Sequence, residues 1–193
     1  MLRRTLAAAA AAVALAGPAG AQDAYVVGVT GALTGPAAGT NGPPIEGLRL
    51  YVDRLNAAGG VNGKKIQLTV LDDQGEPSKA AANAKRLLTQ DNVGLLVLSS
   101  LSSTFAPVIG ESKRANVALM LMGAVCPKEV YPPAELLQFC TTAYAGGYDS
   151  RATLAFIKET AREPVRIGFA AMAIPLSRGE IDYAEGEAKA MGM

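Results

Sequence analysis

Four hydroxyls crowd into five positions, at Ser99, Ser100, Ser102 and Ser103, with Thr104 next in line. They follow Leu95-Leu96-Val97-Leu98, a short apolar run bounded before by Gly94, which reads as a fully buried strand. From Phe105 to Ala115 the apolar residues Phe105, Val108 and Ile109 alternate at helical spacing with Glu111, Lys113 and Arg114. A strand that passes through a serine-rich turn into a helix presents hydroxyls and unpaired backbone N–H groups at the helix N-terminus. Such a place suits a carboxylate or another anion. The same hydroxyls could act as nucleophiles only beside an activating base. The chain has no His and no G-x-S-x-G elbow. The serines therefore read as helix caps that also contact a ligand, with capping alone and an exported α/β enzyme working through Ser99–Ser103 as the alternatives.

Asp72 and Asp73 end the second predicted strand, where a dinucleotide-binding fold keeps its ribose-binding acid. The turn after the first strand lacks G-x-G-x-x-G, however, with its glycines at Gly31, Gly35, Gly39 and Gly42. The two aspartates read as turn and cap residues. No P-loop, paired-carboxylate motif or metal-ligand cluster is present in the sequence, and no cofactor is expected.

The elements that must position these residues alternate along the chain. Tyr25–Val29 is a first strand, and a Gly- and Thr-rich turn follows it. Pro43 and Pro44 suit the first turn of a helix whose inner face is Ile45, Leu48, Val52 and Leu55. Gly59-Gly60 ends that helix. Ile66, Leu68 and Val70 alternate with polar residues in a second strand, and a helix from Pro77 to Thr89 turns Ala80, Ala81, Ala84, Leu87 and Leu88 inward. The Gly94 strand comes third and Val117–Met122 fourth. This order predicts an α/β fold with a doubly wound parallel sheet, which binds ligands outside the carboxyl ends of its strands. Further on come a short strand at 136–139, a helix over 147–162, a strand over 165–170 and a last helix running to Met193. One strand and one helix cannot bury their own apolar faces, so the chain is expected to stop part-way through a second domain.

Residues 1–21 read as a secretory signal peptide, against a buried Ala-rich helix as the alternative. Arg3 and Arg4 form a basic start, Leu6–Leu15 an apolar run too short to span a bilayer, and Ala19-Gly20-Ala21 a small-residue cleavage site. The chain of 193 residues has 18 Lys+Arg and 17 Asp+Glu; without Arg3 and Arg4 the balance is 16 against 17, a net charge of −1. Near-neutral charge of mixed sign gives no footprint for nucleic acid. In an oxidising compartment Cys126 and Cys140 would either close a disulfide around a Pro-rich loop or remain two buried thiols.

Three stretches together carry a family resemblance: Val27–Ala38 with its "LTGP", Gly47–Ile66 with "NAAGGVNGK", and Asp72–Ala80 with "DDQGEP". In this order they resemble the leucine/isoleucine/valine-binding family of periplasmic solute-binding proteins, the receptors of ABC importers. The resemblance implies a type I periplasmic-binding-protein fold of two α/β lobes with a ligand held between them. Lobe one would span 22–145, and 146–193 would begin a truncated lobe two. It implies no catalysis, a small-molecule ligand, a membrane permease as partner and a periplasmic location; a sensor on the same fold is the alternative. The family's ligand-binding serine turn matches Ser102, with Ser103 beside it, and these would hold the ligand carboxylate. Its small-small-Thr turn matches Ala124, Val125 and Cys126. A first-turn position that often carries an aromatic residue falls at Thr40, and the covering aromatic of lobe two falls near Leu176. These replacements leave open a branched-chain amino acid, an amide or urea-like compound, or an aromatic or aliphatic carboxylate.

Overall fold

Alternation of Ile66, Leu68 and Val70 with polar residues, and the β-branched run of Val26, Val27 and Val29, suit strands with helices on both faces. In the computed structural model, which describes residues 24–122, 126–127, 130, 136–141, 147–162 and 165–193, they form neighbouring strands. Strand β1 is Tyr25–Gly31, β2 Ile66–Asp72, β3 Leu95–Ser99, β4 Ala118–Leu121 and β5 Gln138–Cys140. All pair in parallel, in the order β2-β1-β3-β4-β5. Helix α1 (Ala38–Ala57) packs on one face, where Ile45 meets Val29 and Val97. Helices α2 (Pro77–Thr89) and α3 (Phe105–Ala115) cover the other, where Ala80, Ala84, Leu87, Val108 and Ile109 meet Leu96, Leu98 and Leu119. Successive residues of β3 thus feed opposite layers, as the two-residue period of a strand requires. The chain reverses direction across the sheet between β1 and β3, which places a topological switch point at Gly31 and Ser99.

The turns between these elements explain the quoted motifs. Asn56 acts as a side-chain strand: its Nδ2 donates to the Ile66 carbonyl at 2.8 Å and its Oδ1 accepts from the Ile66 N–H at 2.8 Å. This double bond fixes where β2 begins. Asn62 and Gly63, at φ 50° and 78°, make a tight reversal closed by hydrogen bonds between Val61 and Lys64 in both directions.

Two expectations are corrected. Helix α1 starts at Ala38, so Pro43 and Pro44 lie in its second turn and not its first. Their missing N–H groups leave the carbonyls of Gly39 and Thr40 without helical partners, and both residues are exposed, so water can take that role. Residues 165–170 form no strand. Their burial alternates as a strand's would, with 165, 167 and 169 half-buried and 166, 168 and 170 exposed, but a strand exists only through a hydrogen-bonded neighbour and none of the described segments lies alongside. Helices α4 (Tyr148–Thr160) and α5 (Pro175–Ala190) pack against one another around this segment, joined by Lys158 Nζ to the Met191 carbonyl and by Arg151 to Glu187. The proposed signal peptide lies outside the described residues.

A disulfide joins Cys126 to Cys140, with Cα atoms 5.7 Å apart. Cys126 is buried in the α2–α3 layer beside Val130 and Leu121, and Cys140 packs against the same cluster.

Gly31 offers a direct test of the switch-point packing. A Cβ there would lie 2.5 Å from Ile45 Cδ1 and 2.6 Å from the Ser99 carbonyl oxygen, and the latter is backbone that cannot turn aside. Gly31→Ala is expected to cost about 1–3 kcal/mol, measured as a lowered midpoint in urea unfolding with an unchanged slope.

Candidate functional site

The carboxyl ends of β1, β2 and β3 are tied together by two adjacent carboxylates. Asp73 is fully buried, as is Thr30. Asp73 Oδ1 accepts from the Ser100 hydroxyl at 2.6 Å and from the Gly75 N–H at 2.8 Å, and Oδ2 accepts from the Thr30 hydroxyl at 3.0 Å. Its backbone N–H donates to the Gly31 carbonyl at 2.9 Å. Asn83 on α2 donates to Thr30 Oγ1 and to the Asp72 carbonyl. One side chain therefore links the ends of three strands. Asp72 points the other way: its Oδ1 accepts from the N–H groups of Leu33, Thr34 and Gln74, and its Oδ2 from the Thr34 hydroxyl. That cap holds the turn which leads into α1.

The two carboxyls titrate in opposite directions. Burial drives the Asp73 carboxyl above the usual aspartate range, against the hydrogen bonds from Ser100, Gly75 and Thr30, and the charge of Asp72 pushes the same way as burial. For Asp72, burial again raises the value, but the Thr34 hydroxyl and the N–H groups of Gln74, Leu33 and Thr34 together hold it below the usual range.

The four serines have different uses. Ser99 is buried, and its hydroxyl donates to the Asn41 carbonyl at 3.0 Å, pinning the start of α1 to the end of β3. Ser100 belongs to Asp73. Ser102 and Ser103 are half-buried in a short 3-10 turn, Ser102–Thr104, that runs into α3, and the Thr104 hydroxyl closes back on it by donating to the Leu101 carbonyl. Ser102 Oγ accepts from the Leu176 N–H at 3.2 Å. Leu176 stands second in α5 after Pro175, where a backbone N–H has no helical partner. Ser102 and Leu176, 74 residues apart, thus meet.

The remaining sequence candidates are more scattered. Thr40 is exposed in the first turn of α1, and no hydrogen bond joins it to Ser102, Ser103 or Leu176. Cys126 is locked in its disulfide with its sulfur in the core, so only its backbone can face the strand ends. Ala124 and Val125 lie outside the described residues. Leu176 also borders a groove of about 520 Å³ between α4, residues 167–171 and α5, whose wall is largely apolar, with Leu154, Ile157, Phe169 and Ile181. Glu180 in that wall is engaged by the Gly147 N–H. Ser150, Thr153 and Ser177 add hydroxyls to this groove, whereas the hydrogen-bonded carboxylates Asp72 and Asp73 stand at the strand ends. Sequence reading missed Thr30, Asn41 and Asn83. Asn83 had a signal, a polar residue at an inner position between Ala80 and Leu87. Among the described residues, no group of three His, Cys, Asp or Glu side chains could hold a metal, and no helix is long and apolar enough to cross a membrane.

Comparison with known proteins bears on this arrangement. A family model described as periplasmic binding protein matches residues 24–192. An amino acid binding protein of Pseudomonas aeruginosa is 35% identical over 103 residues, 53% of this chain and 28% of its own length. A leucine-, isoleucine-, valine-, threonine-, and alanine-binding protein of the same organism is 30% identical over 121 residues, 61% of this chain and 32% of its own. The chain thus spans about a third of the length of these relatives. The solved periplasmic binding protein type 1 from Bordetella pertussis Tohama I superposes with a TM-score of 0.73 at 24% identity, over 88% of this chain and 46% of that one.

The paired aspartates predict opposite pH slopes. Asp72, lowered in the fold, adds stability above its unfolded value that is lost as the pH falls through its folded value. Asp73, raised, favours the fold below its unfolded value, and that advantage is lost as the pH rises through its folded value. The unfolding free energy of the unchanged chain minus that of Asp72→Asn should shrink toward acid, whereas the same difference for Asp73→Asn should shrink toward neutrality. Asp73→Ala, which strands the Ser100 hydroxyl and the Gly75 N–H, should cost about 3 kcal/mol.

Proposed function

The chain belongs to the periplasmic binding protein family, and on that premise we propose that it is the extracytoplasmic receptor of an ABC importer for a small carboxylate, amino acid or amide. Residues 22–145 form lobe one in this reading, 146–193 begin lobe two, and the ligand sits beside the Ser102–Thr104 turn and the start of α5. Residues 1–21 direct export to the periplasm, and the closed receptor hands its ligand to a membrane permease. The family is one of binding proteins, so no catalytic role is assigned to the serine turn.

The observation that carries the reading is the meeting of Ser102 with the first turn of α5. It brings a hydroxyl at one helix start and the first backbone N–H of another to a single place beside the switch point. Two helix N-termini bring partial positive charge there without a Lys or Arg side chain. That field suits a carboxylate or a carbonyl-rich amide. Ser102 and Ser103 would hold the anionic or carbonyl end, Thr40 and Leu176 would border the rest of the ligand, and Ala124, Val125 and Cys126 are proposed as further contacts. The relative of P. aeruginosa named for five aliphatic and small amino acids supports an amino acid as the first class to try. Thr40 and Leu176 stand at positions where the family resemblance expects aromatic rings, which supports trying bulkier carboxylates as well.

The test is a thermal-shift screen of the protein as its gene encodes it, against amino acids, amides and small aromatic and aliphatic carboxylates. A ligand at a hundred times its dissociation constant should stabilise the fold by about 2.7 kcal/mol. Ser102→Ala should weaken that ligand by roughly tenfold or more, the worth of a hydrogen bond to a charged group. Folded protein that responds to none of the panel would count against the receptor reading.

A further inference from the structure

Strand β5 gains little from its own contacts. It has three residues, Gln138–Cys140, and β4 is its one neighbour among the described strands. Two backbone bonds bracket the pairing, from the Leu119 N–H to the Leu137 carbonyl at 2.8 Å and from the Thr141 N–H to the Leu121 carbonyl at 3.0 Å. The side chains add little to that. Phe139 is 47% exposed, and Leu136, just before the strand, 93%. Gln138 stands opposite Leu119, on the same face as Cys140, and is buried. Neither its amide oxygen nor its amide nitrogen has a hydrogen-bond partner among the described residues. An amide buried without partners works against the attachment of the strand. Cys140 does pack against the core cluster, and it does so as one half of the disulfide.

We propose that the Cys126–Cys140 disulfide is a redox latch that keeps β5 in the sheet. The two cysteines are 14 positions apart, so the bond limits the conformational freedom that β5 gains on detaching. Cys126, buried beside Leu121 and Val130, is the fixed end, and half-buried Cys140 at the sheet edge is the end that moves. The latch opens by thiol–disulfide exchange. One thiolate of an external dithiol attacks a sulfur of the pair, and its second thiol resolves the mixed disulfide. Two electrons and two protons thereby pass to the protein, which gains two thiols, and the reagent leaves as its own disulfide. Without the bond, β5 keeps only its short pairing, set against an unpaired buried amide, and it detaches. Strands β1 to β4 stay together, because Val29, Ile45 and Val97 on one face and Leu87, Leu96 and Val108 on the other pack without it. Cys126 is also among the ligand contacts proposed above. An effect of redox state on ligand uptake therefore rests on the receptor reading, whereas the latch does not.

The test is hydrogen exchange of backbone amides, followed by NMR on isotope-labelled protein as its gene encodes it, before and after reduction with dithiothreitol. Reduction should lower the protection of the Leu119 and Thr141 amides, which bond across β4 and β5, by about a hundredfold. The Ala32 and Met122 amides, which donate to the Ser99 and Leu98 carbonyls, should keep theirs. A chain carrying Cys126→Ala and Cys140→Ala should behave as the reduced protein does. Adding Gln138→Leu to it removes the unpaired amide and should return much of the lost protection to Leu119 and Thr141. If the cysteine-free chain does not fold, dithiothreitol treatment of the folded protein decides alone. Equal protection of Leu119 and Thr141 in the oxidised and reduced protein would overturn the proposal. So would loss of protection at all four amides together, which would make the disulfide a support of the whole fold and not a latch on β5.

Discussion

The buried carboxylate of Asp73 is the interaction on which the rest of the structure depends. Parallel strands end in turns that must carry unpaired backbone groups, and a ligand site at those ends works only if the turns keep their shape. Asp73 supplies that by taking the hydroxyls of Thr30 and Ser100 and the N–H of Gly75, while its own N–H closes on Gly31. Burial of a charge is costly unless it is hydrogen-bonded, so the three donors are a condition of its presence. With Ser100 fixed, the turn that follows at Ser102 and Ser103 has a defined starting point.

From that hub the constraints spread outward by short steps. Asp72 caps the Leu33–Thr34 turn, Ser99 anchors the carbonyl of Asn41, and the Ser99 carbonyl accepts from the Ala32 N–H at 3.0 Å. Gly31 fits between Ile45 and the Ser99 carbonyl because it has no Cβ. The result is an edge whose polar groups are committed to protein, followed by a turn in which Ser102 accepts from the Leu176 N–H and Thr104 donates to the Leu101 carbonyl. The serines divide by use: Ser99 and Ser100 are buried and build the edge, whereas Ser102 and Ser103 are half-buried, with Ser102 joined to the start of α5.

Much of the fold was legible because strand and helix periods are local. Ile66, Leu68 and Val70, and the face made by Ala80, Ala84 and Leu87, announce their partners by spacing alone. The motifs that carry the family likeness turn out to be turn chemistry: Asn56 pairing with Ile66, Asn62-Gly63 at positive φ, and Gln74 and Gly75 at φ 57° and 76° under the aspartate caps. They identify the scaffold and say little about what it binds. The start of α1 misled because proline usually marks a first turn, whereas here Ala38 begins the helix and two prolines follow inside it. Residues 165–170 misled because alternation reports two faces and not the presence of a neighbouring strand. The link between Ser102 and Leu176 spans 74 positions, and no local pattern encodes it.

The central claim is that recognition takes place where the Ser102 turn meets α5. It is tested most directly by following backbone amide resonances of isotope-labelled protein during titration with a ligand that stabilises it. The account predicts that the amides of Ser102, Ser103 and Leu176 shift together and saturate with one dissociation constant, while those of the apolar groove around Phe169 and Ile181 move little. Saturable shifts centred on that groove, with the Ser102 turn unmoved, would contradict it.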